Sequence, residues 1–277
     1  MKTILLALLA LGAFGEETCG TSLEKAPALA KVFNDRGIAG TFVMVDGRTE
    51  TVFVWNRERA ERRFPPAATF RIANAIIALE TGVVRGVDDI VPFNATQHRT
   101  YESAQPYFYG TFLNRSRKPH RQRALRKSMR APNTRTFRML ARGIGTKRMR
   151  DGVVKLAYGN MRVGNSVDRF WRDGSLQISA LEQVEFLGRV ARGEIPVSHE
   201  ILDKVRELTL LEKTARYELH SKSGALFTSK PQLGWWVGWI ERKSGIFPFA
   251  LNMDIDTAEA DDRVAIGREC LKALGKL

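Results

Sequence analysis

The chain has 277 residues, 44 Lys and Arg against 30 Asp and Glu, and 44% hydrophobic residues, enough to build a sizeable core without a structural metal or disulfide framework. Of the net charge of +14, +10 lies between Asn94 and Arg138, where eleven basic residues face the single acid Glu102. The rest is an ordinary globular composition, so no nucleic-acid partner is expected. Lys2, the apolar run Thr3 to Leu11, small Gly12 to Gly15 and acidic Glu16-Glu17 read as a secretory signal over residues 1–15. No later run is long and apolar enough to span a bilayer. The expectation is therefore an exported, periplasmic protein with no transmembrane segment.

Leu23 to Arg36 carries apolar residues at Leu29, Val32 and Phe33 before Gly37, which predicts a short helix. Residues 41–45 and 51–55, joined through Asp46-Gly47, predict a β-hairpin. Arg71 to Glu80 predicts a buried helix ended by Thr81-Gly82. Thr96 to Arg123 has no helical or strand period and reads as a solvated loop, the alternatives being a basic binding arm and a stretch read out of frame or arisen by decay; a non-catalytic protein holding anionic cell-envelope polymers through Asn94–Arg138 is a competing function. Gly234 to Ile240 and Phe247 to Ile255 predict two strands around Lys243-Ser244-Gly245, and Arg263 to Leu274 a closing helix. Trp235, Trp236 and Trp239 are expected in the core. An α+β architecture follows, its sheet drawn from residues near 38 to 62 and 200 to 257.

Two cysteines, Cys19 and Cys270, sit near opposite ends. They are a disulfide if the termini meet, and two free thiols otherwise. Neither belongs to a closely spaced ligand pair, so no metal or other cofactor is expected. His98, His120, His199 and His220 are scattered, and each is expected on the surface or as a cap.

The stretch Pro66-Ala67-Ala68-Thr69-Phe70-Arg71 resembles the Pro-Ala-Ser-Thr-Phe-Lys nucleophile motif of class D serine β-lactamases, the oxacillinases. Tyr158-Gly159-Asn160, Phe170 to Gly174, Ile178 to Gln183, Lys222-Ser223-Gly224 and Gly234 to Trp239 follow in that family's order. The resemblance implies a β-lactamase/transpeptidase-like fold: an antiparallel sheet flanked by helices, plus a helical lobe. Signal residues 1–15 would be followed by a discontinuous α/β lobe (16–62 and 180–277). The helical lobe would span 63–179 and contain an irregular basic segment, 94–136.

It also implies a mechanism in which the motif serine attacks the lactam carbonyl and a carboxylated lysine, in a pocket closed by the tryptophan matching Trp171, acts as base. Here the serine is Ala68, and a methyl group has no lone pair. The lysine is Arg71, whose permanently protonated guanidinium neither takes up carbon dioxide nor accepts a proton. A second serine, relaying a proton to the departing nitrogen, falls at Pro132 within Ala131-Pro132-Asn133-Thr134. Pro132 has neither hydroxyl nor backbone N–H.

The implied binding groups remain: Lys222, Ser223 and Gly224, the carboxylate-binding Arg263, and the N–H groups of Ala68 and Ala225 as an oxyanion hole. The expectation is an inactive homologue, a pseudoenzyme or decayed product, with weak non-covalent binding of a β-lactam or other small anion. An active β-lactamase with unconventional residues is the competing expectation. A buried Arg71 is expected to cost several kcal/mol unless a carboxylate or carbonyls pair with it. Thr69 is not expected to replace the nucleophile, because its side chain points away from that of Ala68.

Overall fold

The computed structural model describes residues 26–90, 124–131, 134–255 and 262–277. The signal-like residues 1–15, Cys19, His98, His120, Pro132 and most of the basic segment 94–136 lie outside the described residues.

Six strands form one antiparallel sheet. They are β1 (Gly40–Asp46), β2 (Thr51–Trp55), β3 (Leu210–Lys213), β4 (Glu218–Leu226), β5 (Gln232–Arg242) and β6 (Gly245–Ile255), in the order β2-β1-β6-β5-β4-β3. The two N-terminal strands thus extend the sheet of the four later ones, as β1 pairs with both β2 and β6. The expected sheet limits were too wide at two places, where the chain forms helices instead: α2 (Arg57–Glu61), capped by the Asn56 side chain, and α8 (His199–Thr209), capped by Ser198.

Strand alternation divides the core. On β5, Trp235, Val237 and Trp239 enter the larger cluster with the helical lobe, while Trp236 and Ile240 enter the other cluster. All three tryptophans are buried, as expected. The second cluster is closed by α1 (Ala26–Asn34) and α9 (Asp262–Ala273). Gly267 of α9 seats that helix on the sheet, since an added Cβ would lie 2.1 Å from the Trp236 ring. Cys270 is buried there, and burial pushes its thiol up to about 12, which makes it unreactive.

The other face carries α3 (Arg71–Glu80), nearly all of whose residues are buried. Packed around it are α4 (Leu125–Arg130), α5 (Arg135–Ile144) and α6 (Thr146–Lys155), with α7 (Ala180–Arg192) lying on the sheet. Helix α7 starts in a full capping box, Ser179 to Glu182, and ends at left-handed Gly193.

Candidate active site

The site forms where the short 3₁₀ turn Ala67–Phe70 meets strand β4. Ala67 has φ of +50°, a left-handed conformation that costs a non-glycine residue of order 1 kcal/mol. Two hydrogen bonds hold the segment: Ala67 N–H donates to the Trp171 carbonyl at 3.0 Å, and Trp235 Nε1 donates to the Pro65 carbonyl at 3.0 Å. Phe70 anchors the far end, stacked on Trp171 with centroids 5.4 Å apart and edge-on to Phe170 and Tyr158. In this turn Ala67, Thr69 and Phe70 are buried, while Ala68 stays partly open. The position that the resemblance assigns to the nucleophile is thus presented, and it presents a methyl group.

Thr69 is tied down. Its hydroxyl donates to the Pro66 carbonyl at 2.7 Å and accepts from Gln183 Nε2 at 2.9 Å. Gln183 also lies 3.3 Å from the hydroxyl of Tyr158, whose ionisation burial suppresses. This buried trio links the turn, the Tyr158-Gly159-Asn160 segment and α7.

Arg71 is 3% exposed and opens α3. Its Nη1 donates to the carbonyls of Ala131 at 2.6 Å, Ser128 at 3.0 Å and Met129 at 3.4 Å, and its guanidinium lies 5.0 Å from the Phe137 ring centroid. These carbonyls end α4, where unpaired C=O groups carry partial negative charge that suits a cation. Burial, with Arg172 adding repulsion, lowers its pKa to about 10, so it stays charged at neutral pH. The carbonyl pairing that a buried arginine requires is present.

Across the cleft, Lys222 is half-buried on β4 and donates to the Ser223 carbonyl at 2.6 Å. Burial first, then Arg71 and Arg263, push its pKa down to about 7. Register places Lys222 opposite Val237 and Gly224 opposite Trp235, on the helical-lobe face. Ser223, opposite Trp236, shares the other face with Ala225. Gly224 permits the close approach of strand and turn, because an added Cβ would lie 3.0 Å from Ala68 N and 3.1 Å from Thr69 N. Arg263 reaches β5 where Gly234 has no side chain, with 3.6 Å from its Cδ to an added Cβ. The arrangement brings three cations around a strand and turn, with no oxygen nucleophile at position 68.

Residues 40–272 match the model of the penicillin-binding protein transpeptidase domain. The chain is 32% identical to β-lactamase OXA-10 of Pseudomonas aeruginosa over 229 residues, covering 82% of this chain and 80% of the relative. Among solved structures it resembles the class D β-lactamase FUS-1 (OXA-85) of Fusobacterium nucleatum, with a TM-score of 0.79 at 33% identity over 90% of this chain and 98% of that one. The class D β-lactamase of Bacillus subtilis gives 0.75 at 30% identity, over 90% and 96%.

The chain belongs to the class D β-lactamase family. Its penicillin-binding fold agrees with the expected α+β sheet and flanking helices. No described helix is long and apolar enough to cross a membrane.

One expectation fails outright within this class D scaffold. His220 is not on the surface: it is 1% exposed and stacked on Trp239 at 4.6 Å. Its Nδ1 lies 3.0 Å from the Arg206 carbonyl, and its Nε2 lies 3.7 Å from Glu218 and 3.9 Å from Glu241 without a hydrogen-bond partner. Burial lowers its pKa. Glu218, His220 and Glu241 place donor atoms within 4.8 Å of one another, yet both carboxylates already accept bonds, from Lys213 and from Trp239 and Arg206. No metal is assigned to them. Their juxtaposition comes from strand register, which sequence spacing does not display; the i, i+2 alternation of Glu218, His220 and Lys222 on β4 was the available signal. Gln183 was missed as a functional contact because its partner Thr69 lies 114 residues away on another element.

Proposed function

We propose that this chain is a class D β-lactamase homologue that no longer hydrolyses β-lactams, a pseudoenzyme or decayed product that still binds them weakly and without a covalent bond. The observation that carries this reading is the pair of Ala68, a methyl at the nucleophile position, and Arg71, charged and committed to three carbonyls where the base would stand. Removing the nucleophile alone costs serine hydrolases about a millionfold in turnover, and the oxyanion hole and binding leave roughly a thousandfold over water. Lys222 and Arg263 support electrostatic holding of a ligand carboxylate. Export to the periplasm through residues 1–15 belongs to the same proposal.

Incubating the pure protein with nitrocefin and oxacillin tests it. The expected result is no turnover and no mass increase, with weak saturable binding by ligand-observed NMR. Turnover, or an acyl adduct on Thr69, would overturn it in favour of an active enzyme with unconventional residues.

A further inference from the structure

The excess charge of the described chain is confined to one stretch. Residues 124–131 and 134–172 hold thirteen Arg and Lys against two acids, Asp151 and Asp168, whereas all other described residues hold 23 against 21. Asp168 is buried and turned inward, bound by Arg138 and Arg142. The outer surface of this layer therefore has little negative charge of its own.

Helix α6 displays that surface most clearly. At about 100° per residue, Lys147, Arg148, Arg150, Asp151, Val154 and Lys155 share one arc of about 160°, and all six are exposed. Met149, Gly152 and Val153 occupy the opposite side and are buried. Gly152 fixes the helix on α3, since an added Cβ would fall 2.8 Å from Ile77. The arc is thus presented rigidly. Asp151 is answered by Lys147 at 2.8 Å, and Lys155 pairs with Glu80. Arg150 and, just past the helix, Arg162 have no ion-pair partner among the described residues. Two large apolar side chains are exposed on and just past this helix: Val154, 53% exposed, and Met161, 42% exposed.

A rigid amphipathic helix whose solvent side combines cations with exposed Val154, and which is followed by exposed Met161, matches the chemistry of an anionic bilayer surface, where head groups meet the charges and the apolar tips enter the acyl boundary. We infer that the outer face of α6 with Met161 and Arg162 is a docking surface for anionic phospholipid, separate from the cleft. A soluble polyanion would satisfy the cations but leave Val154 and Met161 in water.

Cosedimentation of the full chain with vesicles of phosphatidylglycerol and phosphatidylcholine in equal parts tests this at low ionic strength. Binding is expected to anionic vesicles only, to fall as salt is added, and to fall roughly a hundredfold in the variant with Lys147, Arg150, Lys155 and Arg162 each changed to Glu. A charge-matched variant with Lys31, Arg216, Lys243 and Lys272 changed to Glu should bind like the parent, and Val154→Ser with Met161→Ser should weaken binding severalfold at unchanged net charge. Circular dichroism melting verifies that each variant is folded; if the quadruple change unfolds α6, Arg150→Glu with Arg162→Glu gives the same readout with a smaller loss. Equal loss in the two charge-matched variants, equal binding to pure phosphatidylcholine, or retention on polyphosphate without sedimentation on vesicles would overturn the inference.

Discussion

The two walls of the cleft differ in what they carry. The β4 wall holds Lys222, whose pKa Arg263 is near enough to depress, and the close-packed Gly224, and its register with β5 is unbroken from Glu218 to Leu226. On the proposed reading, the wall formed by the turn and α3 carries Ala68 and Arg71 where the reacting side chains would stand. That reading puts binding and bond-making on different elements of one scaffold.

Rebuilding chemistry on the altered wall gives the largest expected contrast. Ala68→Ser with Arg71→Lys should recover little turnover, because Pro132 still lacks a hydroxyl. Adding Pro132→Ser should raise nitrocefin hydrolysis a further hundredfold or more, the usual worth of a positioned proton relay. Equal rates for the double and triple variants would show that the Pro132 position is irrelevant.

Arg71→Met comes next. It removes the donor for three carbonyls at the end of α4, and the expected loss is about 3 kcal/mol, the scale of charged hydrogen bonds in a buried site. Urea denaturation measures it. A neutral or stabilising result would mean that Arg71 is merely tolerated.

The intact wall is sharpened by pH. Lys222 must be protonated to attract a carboxylate, so ligand affinity should fall as pH rises through about 7, and Lys222→Met should flatten the profile. The sign for folding follows from linkage: folded Lys222 binds its proton more weakly than an unfolded lysine does. Stability should therefore rise as pH climbs from about 7 towards 10.5, then level off. The smallest effect is expected from Gly224→Ala, which pushes a methyl to 3.0 Å from Ala68 N. A loss of about 1–2 kcal/mol in thermal melting is expected.

Much of this was legible in the sequence because its signals are local. The hairpin, the tryptophan strand, α3 and the closing helix follow from period and turn residues. The motif positions of Ala68, Arg71 and Lys222 follow from order along the chain. What stayed hidden depends on residues far apart. The carbonyls that accommodate Arg71 come from Ser128 to Ala131, and the site of His220 is made by Trp239 and Glu241 across a strand pair. The helix at 57–61 was missed because a five-residue charged segment shows no period, whereas the one at 199–209 was legible from the Ser198 cap and the helical spacing of Leu202, Val205 and Leu208.

The left-handed Ala67 is clamped by the Trp171 carbonyl and, through Pro65, by the Trp235 indole, and neither clamp involves the side chain at position 68. Any side chain placed at position 68 would therefore meet a turn whose frame is already fastened from two neighbouring segments.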